Sequence, residues 1–255
     1  MAILEIKKVT RNFKGLSALC QIDAEVREGE ILGIIGPNGA GKTTLFNVVS
    51  GFLPPSSGDI LFEGKSIVGL RPDEIVRKGV ARSFQGTSLF PASSCLGNLI
   101  VAHHLHKEFG FWQSMFNGQS YRHREEEVAK KSLKILEDLN LSDKKDVAAR
   151  DIPYGYQKML GVAMVLATNA RLLLFDEPVA GMTPSESLAM GEEIRNIRNK
   201  QGKTIVLVEH NMKTVMEICD RIVVINHGIK IAEGPPEVIQ ADPQVIEAYL
   251  GQDES

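Results

Sequence analysis

Two stretches of this chain carry residue types suited to phosphate chemistry. The first, Gly36-Pro37-Asn38-Gly39-Ala40-Gly41-Lys42-Thr43, fits the pattern G-x-x-x-x-G-K-[ST]. Its glycines let the backbone bend around phosphates and turn N–H groups inward, and a following helix N-terminus adds positive potential. Lys42 would reach the β- and γ-phosphates of a nucleotide as a point charge, and the Thr43 hydroxyl would ligate Mg²⁺. The second stretch, Leu172-Leu173-Leu174-Phe175, ends in Asp176-Glu177. Asp176 would bind Mg²⁺ directly or through water, and Glu177 would polarise an attacking water as general base. An acidic pair at a strand end says little alone. Downstream of a phosphate loop it points to a nucleotide site.

Three further residues each have two readings. The buried strand 204–208 ends in Glu209-His210; His210 contacts a γ-phosphate and orients Glu177, or it is a surface histidine. Its place beside the Asp176 strand favours the first reading. Gln85 follows Val80-Ala81-Arg82-Ser83-Phe84 at a break; it ligates Mg²⁺ or a water and senses the γ-phosphate, or it is an ordinary loop glutamine. Phe13, in the short turn 11–15, stacks on an adenine face or fills the core of a hairpin.

The elements needed to position these residues are legible in the pattern. Ile31-Leu32-Gly33-Ile34-Ile35 leads into the phosphate loop as a buried strand, and Thr44-Leu45-Phe46-Asn47-Val48-Val49 leads out as a helix, the context this motif requires. Four apolar residues before Asp176 describe a strand covered on both faces, as in a parallel sheet, with ligand groups at its C-terminal end. Residues 3–9 and 19–26 alternate apolar and polar, as half-exposed antiparallel strands do. Residues 59–62 read as a strand and 72–79 as a short helix. From about 96 to 150 the character is helical, and residues 125–140 place Val128, Ala129, Leu133, Leu136 and Leu139 at helical spacing. Ahead of them Phe109, Phe111, Trp112, Met115 and Phe116 crowd together, either as a docking surface or as local packing. Residues 87–160 are read as a helical subdomain inserted into an α/β core. Residues 221–225 and 229–233 form a terminal hairpin, and 236–250 a short helical region.

Composition narrows the class. The chain has 255 residues, 43% hydrophobic and 24% charged, which suits a large α/β domain. A net charge of −3 gives no bulk electrostatic case for nucleic acid as a partner. Cys20, Cys95 and Cys219 are widely spaced and odd in number, as reduced core residues of a cytosolic protein are. His103, His104, His106, His123 and His227 show no metal-ligand spacing and are assigned no role. The apolar runs are too short to span a bilayer, and the N-terminus lacks the regions of a signal peptide. The expectation is a chain soluble by itself, with membrane association through partners.

The phosphate loop, Gln85, Asp176-Glu177 and His210 stand in the order seen in ATP-binding cassette (ABC) transporter ATPases, which the chain resembles over its whole length. The family's signature loop, L-S-G-G-Q, falls at Ile152-Pro153-Tyr154-Gly155-Tyr156-Gln157. There Gly155 keeps the family identity and Ile152 is a similar apolar residue. Pro153 replaces the serine, and Tyr154 and Tyr156 stand where the family has Gly and Gln. Met164 stands in place of the usual Arg of the signature helix, and Thr183 in place of the usual Asp of the later loop. The Pro-Tyr-Gly form is similar to the branch serving branched-chain amino-acid (Liv-type) and related urea or amide importers. So are Asn38-Gly39-Ala40-Gly41-Lys42-Thr43-Thr44, Ala180-Gly181-Met182-Thr183-Pro184, the ending Ala248-Tyr249-Leu250-Gly251, and the insertion around Trp112.

The resemblance implies a P-loop cassette, one domain over 1–255, with a mostly parallel core sheet, N-terminal antiparallel strands and the inserted subdomain carrying the signature. It implies ATP held by Gly36, Pro37, Asn38, Gly39, Ala40, Gly41, Lys42, Thr43 and Thr44, with Phe13 on the adenine and Tyr154 and Gly155 in the signature contact. Thr43, Gln85 and Asp176 would serve Mg²⁺, with Glu177 the base and His210 the γ-phosphate sensor. Two cassettes, alike or different, would close head to tail on two ATP molecules and drive transmembrane permease subunits at the cytoplasmic face of the membrane. A solute-binding protein outside would be an indirect partner. Because the Liv branch pairs two different ATPases, the partner's site would use this chain's Pro153 signature and hydrolyse slowly, and the site built on Glu177 would be the faster of two unequal ones. Other readings fit less well. A GTPase needs Asn-Lys-x-Asp, and Asn199-Lys200-Gln201-Gly202 lacks the final Asp; a small-molecule kinase lacks the His210 and Tyr154-Gly155 elements. A DNA-repair or chromosome ATPase carries long coiled coils between phosphate loop and signature, and residues 44–152 hold no heptads. A soluble cassette ATPase uncoupled from transport stays open, as does a subunit that binds ATP without turning it over.

Overall fold

The computed structural model describes residues 1–83, 89–104 and 118–250. The chain opens with a long antiparallel pair, β1 (Ala2–Phe13) and β2 (Leu16–Arg27). The strand β3 (Ile31–Ile35) follows, then helix α1 (Lys42–Val49), β4 (Ser57–Phe62) and the short β5 (Lys65–Ser66). Helix α2 (Pro72–Lys78) leads to β6 (Val80–Arg82). Among the described residues the α-helices α3 (Cys95–His104), α4 (Gly118–Asp138) and α5 (Tyr154–Ala167) come next. The second half returns to alternation: β7 (Leu172–Asp176), α6 (Pro184–Gln201), β8 (Thr204–Val208), α7 (Met212–Ile218), β9 (Arg221–Asn226) and β10 (Ile229–Gly234). Helices α8 (Pro236–Ala241) and α9 (Pro243–Leu250) follow.

Two sheets result. The first, ordered β2-β1-β4-β5, is antiparallel. The second, β10-β9-β3-β8-β7-β6, is parallel except for its β9–β10 hairpin. Every residue of β3, β7 and β8 is buried, which explains why these strands read as apolar runs with polar residues only at the ends, Asp176 and Thr204. Successive side chains alternate between the faces of this sheet. Ile31, Leu173, Phe175, Ile205 and Leu207 pack into a core shared with Leu160, Ile194 and Val215 of the helices. Their neighbours Leu32, Ile34, Leu172, Leu174, Val206 and Val208 pack into a second core with Leu45 and Phe46 of α1 and Val9 and Ile22 of the antiparallel sheet. The parallel sheet therefore fixes the C-terminal ends of β3, β7 and β8 side by side.

The structure corrects several sequence expectations. Residues 11–13, read as part of a turn, continue β1, and the reversal is confined to Lys14-Gly15; both take positive φ, 40° and 95°, so a two-residue connection suffices. Cys95 and Cys219 are buried as expected, but Cys20 is exposed. The alternation of β2 puts Leu19 in the core and turns Cys20 outward. Residues 72–78 are helical, with Gly79 terminating the helix at φ 110°. Helix α4 begins before 125. Phe84, Gln85, Phe109, Phe111, Trp112, Met115, Phe116 and Gly251 lie outside the described residues.

Candidate functional site

The phosphate loop joins the buried end of β3 to α1. Gly36 and Pro37 are buried, Asn38 and Gly39 exposed, and Ala40 buried again. At Gly36 a Cβ would fall 1.9 Å from the Ile225 carbonyl oxygen, and at Gly41 (φ 107°) 2.6 Å from that of Ala18. Only glycine allows the loop to lie this close to β9 and β2. Gly41 also caps α1 with no side-chain acceptor, so the first-turn N–H groups around Thr43 and Thr44 keep the anion-binding capacity of a bare helix N-terminus. The Lys42 ammonium lies across the loop, donating to the carbonyls of Gly36 (2.6 Å) and Pro37 (2.8 Å). Burial pushes its pKa below the ordinary lysine range, while the carboxylates of Glu177 and Asp176 pull it back up.

Those carboxylates stand at the C-terminal end of β7, next to β8. Asp176 is 2% exposed. Its Oδ2 accepts from Arg82 Nη2 at 2.7 Å, and its backbone N–H donates to Ser83 Oγ at 3.1 Å. Burial raises the Asp176 pKa, opposed by the Arg82 guanidinium. Its other oxygen, Oδ1, is buried without a hydrogen-bond partner among the described residues. A buried carboxylate oxygen needs a donor or a cation, so this atom, with the exposed Thr43 hydroxyl, fits the few-ligand manner in which Mg²⁺ is held beside phosphates.

Glu177 takes φ +50°, an unfavourable conformation for a residue with a Cβ. Its backbone is held on both sides: the N–H donates to Val208 O at 2.9 Å, and the carbonyl accepts from Ala180 N–H and Lys158 Nζ, each at 3.2 Å. The turn aims the carboxylate at His210, whose Nδ1 lies 3.7 Å from Glu177 Oε1. The structure thus brings Lys42, Asp176, Glu177 and His210 together from three parallel strand ends. Phe13 sits apart, at the tip of the β1–β2 hairpin, 39% exposed, with the Arg11 guanidinium 4.6 Å from its ring centroid. Gln85 lies outside the described residues.

Helix α5 starts at the signature region with Pro153 in the N-cap position and no side-chain cap. Tyr154 and Tyr156 are both exposed. The Tyr154 hydroxyl donates to Ala180 O at 3.3 Å, and Lys144 Nζ lies 4.3 Å from the Tyr156 ring centroid. Gly155 faces Glu186, whose Oε1 would be 2.8 Å from a Cβ there. Thr183 begins α6 with a capping box to Glu186, the local role its hydroxyl suits.

Sequence reasoning did not single out Arg82, Ser83, Lys158 or Glu209. Nothing local marks Arg82 or Lys158, because their partners lie 94 and 19 residues away.

A phosphate loop, an acidic strand end and a histidine on adjacent strands of a parallel sheet define a P-loop nucleoside-triphosphatase. Comparison with known proteins is more specific. The ABC transporter family profile matches residues 19–180, and a branched-chain amino acid ATP-binding cassette transporter profile matches 230–255. Across 98% of both chains, the sequence is 41% identical to the high-affinity branched-chain amino acid transport ATP-binding protein BraF of Pseudomonas aeruginosa. It is 38% identical, at the same coverage, to LivG of Escherichia coli, which carries the same description. A solved ATP-binding cassette of an ABC transporter superposes with TM-score 0.86 at 31% identity, covering 98% of this chain and 99% of that one. The chain belongs to the ABC transporter family, and it is an ATP-binding ATPase subunit of that family. No helix among the described residues is long and apolar enough to cross a membrane.

Proposed function

We propose that this chain is the ATP-hydrolysing subunit of an importer for branched-chain amino acids or related polar solutes, bound peripherally at the cytoplasmic face of the membrane. Residues 1–255 act as one cassette, with 87–160 as the inserted part carrying the signature. The reading rests on the convergence of Lys42, Asp176, Glu177 and His210 in a chain that aligns end to end with BraF and LivG. Its partners are transmembrane permease subunits and a second cassette, the same or different.

In this reading the loop from Gly36 to Thr44 wraps the triphosphate of ATP with backbone N–H groups, and Lys42 leaves its two loop carbonyls to meet the β- and γ-phosphates. Phe13 offers its ring to the adenine. Thr43, Asp176 Oδ1 and Gln85 would hold Mg²⁺, which would neutralise charge developing on the phosphates. Glu177 takes a proton from the attacking water, and His210 orients both Glu177 and the γ-phosphate. Tyr154 and Gly155 present the signature region to the nucleotide of the second cassette. Capture through a tag on this chain from detergent-solubilised membranes, followed by mass spectrometry, tests the assignment. Recovery of permease subunits and a second cassette is the expected outcome. Recovery only from the soluble fraction as a homodimer would overturn it in favour of an uncoupled ATPase.

A further inference from the structure

Glu209 is fully buried, 0% exposed, at the end of β8. A buried carboxylate is expensive unless its oxygens are satisfied. Here one oxygen, Oε1, accepts from the Val179 N–H at 2.8 Å, in the loop that follows Glu177. The other, Oε2, accepts from the His210 N–H at 3.2 Å and the Asn211 N–H at 3.4 Å. The same side chain therefore grips the two segments that carry Glu177 and His210. Burial pushes the Glu209 carboxyl above the ordinary glutamate range, and the three N–H donors pull the other way.

The surroundings make this grip consequential. Glu177 is held at φ +50°, and its carbonyl accepts from Ala180 N–H, one residue beyond the Val179 that Glu209 binds. On the other side, Asn211 caps α7 through Thr214 N–H at 3.2 Å, so the His210 turn is fixed between Glu209 and a helix start. Only an acceptor-only group with two equivalent oxygens can bind both segments at once. A glutamine would present an NH₂ group to one set of N–H donors and push that segment away.

We propose that Glu209 is a positioning residue for ATP hydrolysis: its carboxylate clamps the Glu177 and His210 turns together and so sets the separation of general base and sensor. It acts through these two groups and does not touch the nucleotide. The inference rests on the roles proposed above for Glu177 and His210. It goes beyond them in assigning their alignment to one buried side chain.

The test uses the complex captured through a tag on this chain, carrying wild-type sequence, Glu177→Gln, His210→Ala, Glu209→Gln or the Glu209→Gln/His210→Ala pair. ATPase kcat and KM, affinity for a fluorescent ATP analogue and thermal midpoint are measured for each. Glu209→Gln is expected to lower kcat by roughly 10- to 100-fold, the scale of a misplacement near 1 Å, with KM and analogue affinity within about twofold. In the His210→Ala background the same change should lower kcat by less than about threefold, while its effect on the thermal midpoint is the same in both backgrounds. Equal fractional kcat losses in the two backgrounds, or kcat near wild type, would overturn the proposal. If Glu209→Gln does not fold, Glu209→Asp replaces it throughout. That variant keeps both acceptors but is too short to span the turns, so an unchanged kcat overturns the proposal and a lowered kcat with unchanged KM supports it. Full hydrolysis by Glu177→Gln would instead sink the underlying assignment of the base, and this inference with it.

Discussion

Replacing Arg82 with methionine would strand the Asp176 carboxylate in the protein interior. The two side chains are 6% and 0% exposed and 2.7 Å apart. The same guanidinium also donates to Asn47 Oδ1 at 2.7 Å and Ser50 Oγ at 3.0 Å, and it lies 5.5 Å from the Phe46 ring centroid. At 2.7 Å and an effective dielectric near 20 the attraction is about 6 kcal/mol, most of it offset by the desolvation of both ions. Removing one partner leaves the other buried and uncompensated, which costs about 3–5 kcal/mol. Asp176 can limit that loss by taking up a proton. An acid whose folded pKa lies above its unfolded value binds its proton more tightly when folded, so its contribution to stability falls as pH rises through that interval. The Asp176 pKa is already raised, and loss of Arg82 removes the group that holds it down. The stability gap between wild type and Arg82→Met should therefore be smallest near the ordinary aspartate value of 3.8 and widen toward neutral pH. Urea unfolding of both proteins across that pH range measures it, with Arg82→Met/Asp176→Asn as a third variant. The double variant should recover much of the loss at neutral pH, since no charge is left stranded. A gap below about 1 kcal/mol at neutral pH, or a double variant no more stable than Arg82→Met, would refute the reasoning.

Gly36→Ala should disrupt the phosphate loop, because its Cβ would fall 1.9 Å from the Ile225 carbonyl. A fluorescent ATP analogue should lose at least roughly tenfold in affinity, and wild-type affinity would mean that the loop is not held against β9 as described. Of the three cysteines, Cys20 is exposed and Cys95 and Cys219 are buried, the latter pair with thiol pKa values pushed up by burial. A colourimetric thiol reagent should find one fast thiol in the native chain and three in denaturant; two or more fast native thiols would contradict the placement. In a complex with two different cassettes, Glu177→Gln should reduce transport-coupled hydrolysis by about 100-fold or more. The matching change in the partner should reduce it less, and equal losses would rule out unequal sites.

Features written in contiguous residues were legible in the sequence. The phosphate loop from Gly36 to Thr43 depends on local glycine conformation and on the strand and helix that flank it. The apolar runs 172–175 and 205–208 announced β7 and β8, because a strand buried on both faces has no polar side to show. From these, Asp176, Glu177 and His210 could be put at neighbouring strand ends before any coordinates. The hairpin tip was less readable: the strand pattern does not say whether Phe13 points into a core or outward, and the structure leaves it partly exposed.

What tertiary structure decided was the pairing of charges across distant segments. A lone Arg82 at the end of a short strand has no sequence feature naming Asp176 as its partner; the parallel β6–β7 register puts them together. Glu209 looks like an ordinary polar residue after a strand until the fold lays the Val179 N–H beside it. Tyr154 reaches Ala180, and Lys158 reaches Glu177, only because α5 packs beside the turn after β7. The physical reason is one of range. Backbone conformation and apolar periodicity are encoded within a few residues, whereas the desolvation that gives a buried charge its energy, and the donor that satisfies it, exist only once the chain has folded.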